Sequence, residues 1–168
     1  MILIGLGANL ASPRYGAPEA TLRAALDAIG AAGMEVMAVS RWYASAPVPA
    51  SDQAHYVNIV AALETKMDAS ALLTALHGIE AAFGRIRSAR NAARVIDIDL
   101  LDFHGEVSTD WPLLPHPAMA ERAFVLVPLQ DIAPDWRHPL TGVTVSELLD
   151  RATDRSGVRL LGEGCGED

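Results

Sequence analysis

The stretch ARVIDIDLLDF, residues 93–103, constrains this chain more than any other. Its Val, Ile and Leu residues favour a pleated, half-buried strand. Strand side chains alternate between faces, so Asp97 and Asp99 point one way while Ile96, Ile98 and Leu100 point the other. Any fold that holds this strand needs an apolar cover over one face and an occupant for two carboxylates on the other.

The rest of the chain supplies the cover. Residues 1–8 read as a first strand. Pro18 suits a first helical turn, and Leu22, Ala25, Leu26 and Ile29 then form a helical stripe closed by Gly30 and Gly33. Residues 34–43 and 56–64 predict two strands, joined by the Pro-rich loop ASAPVPASDQAH. Loops of that length in small domains are usually functional or disordered. Asp68 or Ser70 caps a second helix, with Leu72, Leu76, Ile79 and Phe83 as its stripe and Gly84 as its end. The order β-α-β-β-α-β predicts a ferredoxin-like α+β sandwich with a C-terminal extension. Beyond about His104 the chain is Pro-rich, with a strand expected near 123–127 and a short helix over 145–151. One domain is expected over residues 1–160, followed by a disordered tail at 161–168.

Charge narrows the ligand. The net charge of −8 argues against nucleic acid or an anionic membrane as partner. Yet between Ala81 and Ile96 lie four arginines (Arg85, Arg87, Arg90 and Arg94) and no acid, which points to an anionic ligand. No apolar run reaches the roughly 18–20 residues of a membrane span. The start, MILIGLGANL, has no basic residue before its apolar run and reads as a strand rather than a signal peptide. The single cysteine, Cys165, cannot make an internal disulfide, which fits a cytoplasmic protein.

Two ionised carboxylates on one strand face repel each other, and one pKa rises. A divalent cation relieves this, and Mg²⁺ is typically held by one or two carboxylates together with substrate phosphates and water. Alone, D-x-D fits a half-solvated strand face equally well. Arginines leading into the pair favour phosphate chemistry, since guanidinium groups grip phosphate oxygens in bidentate fashion. The common phosphate cradles are missing: there is no G-x-x-x-x-G-K-[ST], Leu10 stands where GLGANL would need a third glycine, and Lys66 is the only lysine. Tyr56 and Asn58 share a strand face and can stack on and hydrogen-bond a flat heterocycle, or can be a core tyrosine and an edge asparagine. His116, between two prolines, is a rigid donor or a turn histidine. Glu80 faces the same pocket or plain solvent. His55, His77, His104 and His138 show no metal-ligand spacing.

Four segments taken together resemble a known family: GLGANL, DQAHYVNIVAALET, IEAAFGRIRSARNAARVIDIDLLDF and LPHPAMAERAFVLVPLQDIAP. In this order and spacing, over roughly residues 2–140, they are similar to bacterial 6-hydroxymethyl-7,8-dihydropterin pyrophosphokinases. The resemblance implies transfer of a pyrophosphoryl group from ATP to the pterin hydroxymethyl oxygen, with release of AMP. It implies two Mg²⁺ ions on Asp97 and Asp99, and Arg85, Arg87 and Arg94 on phosphates. It assigns Glu80, Leu100, His116 and Arg122 to the nucleotide. Tyr56 and Phe124 match the aromatics that sandwich the pterin, Asn58 the amide that reads its edge, and Ser45, Ala46, Val48 and Gly7 the pocket lining. Two departures stand out. The stretch RNAAR before the aspartates is one residue shorter than in many members and lacks their tryptophan. Trp111 and Leu113 replace a polar pair near the nucleotide. A stand-alone, monomeric enzyme acting on small molecules is expected. Another Mg²⁺-dependent phosphotransferase or nucleotidyltransferase, or a ligand-binding module without chemistry, are the alternatives.

Overall fold

In the computed structural model, which describes residues 1–86 and 93–162, the expected core order holds. Strand β1 (Ile2–Ala8) leads into helix α1 (Pro18–Ala31), and strands β2 (Glu35–Val39), β3 (Tyr43–Ser45) and β4 (Tyr56–Glu64) follow. Helix α2 (Ala69–Ala82) then leads to strand β5 (Asp97–Phe103). The C-terminal part adds helices α3 (Ala123–Ile132) and α4 (Val145–Arg151) and a last strand, β6 (Val158–Leu160). The sheet is antiparallel in the order β5-β1-β4-β3-β6, with β2 also paired to β4. Apart from β6 this is the ferredoxin-like arrangement. Among the described residues no helix is long and apolar enough to cross a membrane.

Local chemistry explains the two expected helices. Pro18 opens α1, whose buried side is Leu22, Ala25 and Ile29. For α2, Asp68 and not Ser70 is the cap: its carboxylate accepts from the Ala71 amide at 2.8 Å. Gly33 and Gly84, at φ of 84° and 85°, make the left-handed exits that a side chain would resist. Both helices cover one face of the sheet, packing on Ile2, Ile4, Leu6, Ile59, Ile98 and Leu100.

Three expectations need correction. Residues 123–127 are helical: α3 lies across the opposite sheet face, where Val125, Leu126 and Leu129 meet Leu3, Val60 and Leu101. A short apolar run such as AFVLV has no period to distinguish strand from buried helix. The sheet is therefore covered on both sides, and β1 is buried on both. Next, the strand expected over 34–43 is broken. β2 and β3 run along the same edge of β4 but part at Ser40, whose amide donates to the Val60 carbonyl at 2.9 Å and whose hydroxyl accepts from the Val60 amide at 3.0 Å. Asp131 of α3 fixes the break, accepting from the Arg41 guanidinium at 2.6 Å and the Tyr43 hydroxyl at 2.8 Å. Last, β6 extends the sheet beyond β3, where no strand is expected from the sequence. The tail expected from residue 161 falls, after Gly162, outside the described residues.

A bulge resets β5. Its register against β1 shifts between Leu3 and Ile4, so Asp102 follows Leu101 onto the α3 side, beside Trp136, and Phe103 returns to the α1 side. Asp102, only 4% exposed, turns its carboxylate to the Trp136 indole N–H at 2.7 Å and the Gly105 amide at 2.8 Å. Replacing Asp102 by alanine removes the acceptor from both donors, and the expected loss in urea unfolding is about 2 kcal/mol.

Candidate active site

The site grows from the sheet face that looks toward α3. The antiparallel register sets Gly7 between Asn58 on β4 and Asp97 on β5, and Gly5 between Val60 and Asp99. Two glycines in the middle strand leave a floor without side chains, flanked by Asp97 and Asp99 on one side and by Asn58 and the apolar Val60 on the other. The gap is needed as well as permitted: a Cβ on Gly7 would stand 3.1 Å from the Asn58 Oδ1. Over this floor opens a cleft of about 670 Å³, within the range of small-molecule sites. Its walls come from the loop after β3, the residues leading into β5, the first turn of α3 and the segment after α4.

At the acidic end Asp97 takes two guanidiniums, Oδ1 from Arg85 and Oδ2 from Arg94. Arg85 also donates to Glu80 Oε1, and the same oxygen accepts from the Ile98 amide at 2.6 Å. Glu80 is 3% exposed. Burial pushes its carboxyl up to about 7, against the pull of the Ile98 amide and Arg85 and with a push from the Asp97 charge. Asp99 is also raised above the usual carboxylate range, by desolvation first and then by the Asp97 charge, although His116, Arg122 and Arg85 oppose this. His116 faces Asp99 at 4.0 Å through Nε2. Its Nδ1 accepts from the Ala118 amide at 3.2 Å, an arrangement that leaves the proton on Nε2.

At the other end the cleft changes character. Asn58 donates to the Ser45 hydroxyl at 2.8 Å, so one side of its amide is fixed. Tyr56 follows on the same face, its hydroxyl shifted upward mainly by burial. Phe124 stands in the first turn of α3, with the Arg122 guanidinium 5.6 Å from its ring centre. Ala46 and Val48 line the same end. This half offers aromatic faces and a fixed amide, and suits a flat polar ring. The acidic half suits a cation bound together with a polyanion.

Most residues expected from the sequence thus meet in one place. Glu80 is the exception in position: it lies under the rim, holding Arg85 and the start of β5 rather than lining the cleft. Leu100 corrects an expectation, because its side chain is 4% exposed in the core beneath the two N-terminal helices, and Leu101 lines the cleft instead. Arg87 lies outside the described residues. Among the described residues no group of three or more His, Cys, Asp or Glu could hold a metal alone, so the aspartate pair would need oxygens from a ligand.

Sequence reading missed Asn9. It is 4% exposed, accepts from the Arg94 amide at 2.8 Å, and donates to the Ala54 carbonyl at 3.1 Å and the Gln53 side chain at 3.3 Å. One amide thereby ties the residues entering β5 to the Pro-rich loop. An asparagine directly after a fully apolar strand was the available signal. Thr153 and Asp154, which also line the cleft, gave no signal at all.

Comparison with known proteins shows the family. Residues 3–134 match the family model of 7,8-dihydro-6-hydroxymethylpterin-pyrophosphokinase. A 2-amino-4-hydroxy-6-hydroxymethyldihydropteridine pyrophosphokinase of Pseudomonas aeruginosa is 44% identical over 151 residues, covering 88% of this chain and 89% of that one. One of the same name from Methylorubrum extorquens is 41% identical over 157 residues, covering 92% and 94%. In fold, the chain superposes on Plasmodium falciparum HPPK-DHPS, solved with pteroate, at a TM-score of 0.72 and 12% identity. There it covers 89% of its own length and 44% of the longer protein's.

The raised Glu80 carboxyl makes a pH prediction. A group whose pKa is higher folded than unfolded binds more protons when folded, so stability falls as pH rises from about 4.5 to about 7. Glu80→Gln keeps an acceptor for Ile98 but cannot ionise. Urea unfolding of wild type relative to Glu80→Gln should show wild type losing ground across that window, by on the order of 3 kcal/mol.

Proposed function

The chain belongs to the 7,8-dihydro-6-hydroxymethylpterin-pyrophosphokinase family, and we propose from that premise how its cleft moves a pyrophosphoryl group from ATP to the hydroxymethyl oxygen of the pterin. The observation that carries the reading is the meeting, in one cleft, of an aspartate pair under two arginines and an aromatic slot with a fixed amide.

The pterin occupies the slot between Tyr56 and Phe124, with Asn58 and the backbone of Ser45, Ala46 and Val48 reading its polar edge. Gly7 leaves room beneath it. ATP lies with its phosphates toward Asp97 and Asp99, beside His116 and Arg122. The raised Asp99 carboxyl supports a metal at the pair, since a divalent cation would offset both the desolvation and, after it, the Asp97 charge that raise it. Two Mg²⁺ ions fit this donor set when phosphate oxygens complete it, and when bound they neutralise the phosphate charge. Arg85 and Arg94 hold Asp97 in the structure. On nucleotide binding they exchange that carboxylate for phosphate oxygens.

The reaction is an in-line displacement. The pterin hydroxyl oxygen forms a bond to the β-phosphorus, the bond from that phosphorus to the oxygen of the α-phosphate breaks, and AMP leaves. The hydroxyl proton passes to solvent. His116, protonated at Nε2, is placed to donate a hydrogen bond to a phosphate oxygen. Little covalent chemistry falls to the protein, so positioning and charge stabilisation carry the rate. With one cysteine and a net charge of −8, we read a cytoplasmic, monomeric enzyme in which residues 1–160 form one domain.

Chromatography of products tests the reaction. With Mg-ATP and 6-hydroxymethyl-7,8-dihydropterin, AMP should form only when pterin and Mg²⁺ are both present; ADP or free pyrophosphate would overturn the reading. Asp97→Ala should lower turnover by roughly a thousandfold or more while pterin binding survives in part. Tyr56→Ala should weaken pterin binding about three- to tenfold and leave ATP binding near wild type, and calorimetry with each ligand separates the two effects.

A further inference from the structure

The C-terminal segment after α4 lies beyond the residues that match the family model, yet Thr153 and Asp154 line the cleft. Asp154 is half-buried, and its two carboxylate oxygens each lie 3.3 Å from the Ala123 amide. Ala123 is the first residue of α3. The flanking residue, Arg122, gives that helix no side-chain cap. The donor that a helix start leaves open is therefore met from 31 positions downstream. The same segment grips the opposite wall. The Ala46 amide donates to the Gly157 carbonyl at 3.4 Å, Ser45 pairs with Val158 across β3 and β6, and the Leu161 amide donates to the Trp42 carbonyl at 2.8 Å.

We infer that Asp154 is a positioning residue for the pterin, clamping the first turn of α3, with Phe124 on it, against the strand that carries Ser45. A helix that loses its cap frays from the first turn. Here the first turn carries half of the aromatic slot. The inference rests on the pterin-binding reading above. It separates Asp154 from a plain stability residue because the segment bridges the two walls of one half of the cleft only.

The experiment measures binding of 6-hydroxymethyl-7,8-dihydropterin, and separately of a non-hydrolysable Mg-ATP analogue, to wild type, Asp154→Ala and Asp154→Asn. Asp154→Ala should raise the pterin Kd about fivefold or more and leave the nucleotide Kd within twofold. Asp154→Asn keeps an acceptor oxygen and should recover most of the pterin affinity. Unchanged pterin affinity in the alanine variant, or equal weakening of both ligands, overturns the inference. If the alanine variant does not fold, amide exchange in wild type decides. Bound pterin should slow exchange at 122–125 and 153–160 together, and no slowing at 153–160 overturns the proposal. Failure of wild type to bind pterin at all would instead defeat the functional reading itself.

Discussion

The cleft depends on the register of three strands. β1 runs between β4 and β5, and that pairing alone puts the glycines at 5 and 7 level with Asp99, Asp97 and Asn58. A slip of one residue would turn Leu6 into the cleft and the glycines into the core, since strand periodicity is two. The apolar residues of β1 prevent the slip. Ile2, Ile4 and Leu6 are fixed against the helices on one side, and Leu3 against α3 on the other. The core therefore does more than stabilise: it sets the spacing between the acidic end and the aromatic end of the site.

Charge is arranged to be exchanged. Three carboxylates (Glu80, Asp97 and Asp99) meet two guanidiniums on or near β5, and two of the three are raised above their usual range. Asp97 accepts from both arginines, one on each carboxylate oxygen. A ligand that brings both a cation for the aspartates and oxygens for the arginines satisfies all of them at once. One that brings only a phosphate or only a metal leaves part of the set uncompensated, at the cost that buried charge carries. On the proposed reading, that balance would favour a metal–nucleotide complex over either part alone.

How much of this was legible depended on whether the signal was local. Asp97 and Asp99 could be read because alternation fixes their face, and α1 and α2 because Pro18, Asp68, Gly33 and Gly84 mark their ends. Phe124 and Arg122 were found through motif resemblance, although the residues around them were misread as a strand. AFVLV carries no period, and only the exposed face of the sheet makes it a helix. Leu100 was misplaced because the motif names a position but not the direction of its side chain; the period-two reading had already put Leu100 with Ile98, away from the carboxylates. Asn9 and Asp154 act on backbone amides 85 and 31 positions away. Nothing in their neighbours' chemistry announces such partners.

The paired aspartates bear on a further property. Among the described strands β5 pairs only with β1 and so is an edge strand, closed on its outer side at two points, where the Ile98 amide donates to Glu80 and the Leu101 carbonyl accepts from the His116 amide. Exposed edges of this kind invite strand-to-strand aggregation, and natural sheets guard them with charges placed inside the strand. Asp97, Asp99 and Asp102 lie within seven residues of this edge strand, and a neighbouring strand laid against it would have to desolvate the first two without a counter-ion of its own. On the proposed reading, the carboxylates that would receive the ligand also place charge on this edge strand, where charge opposes strand-to-strand pairing.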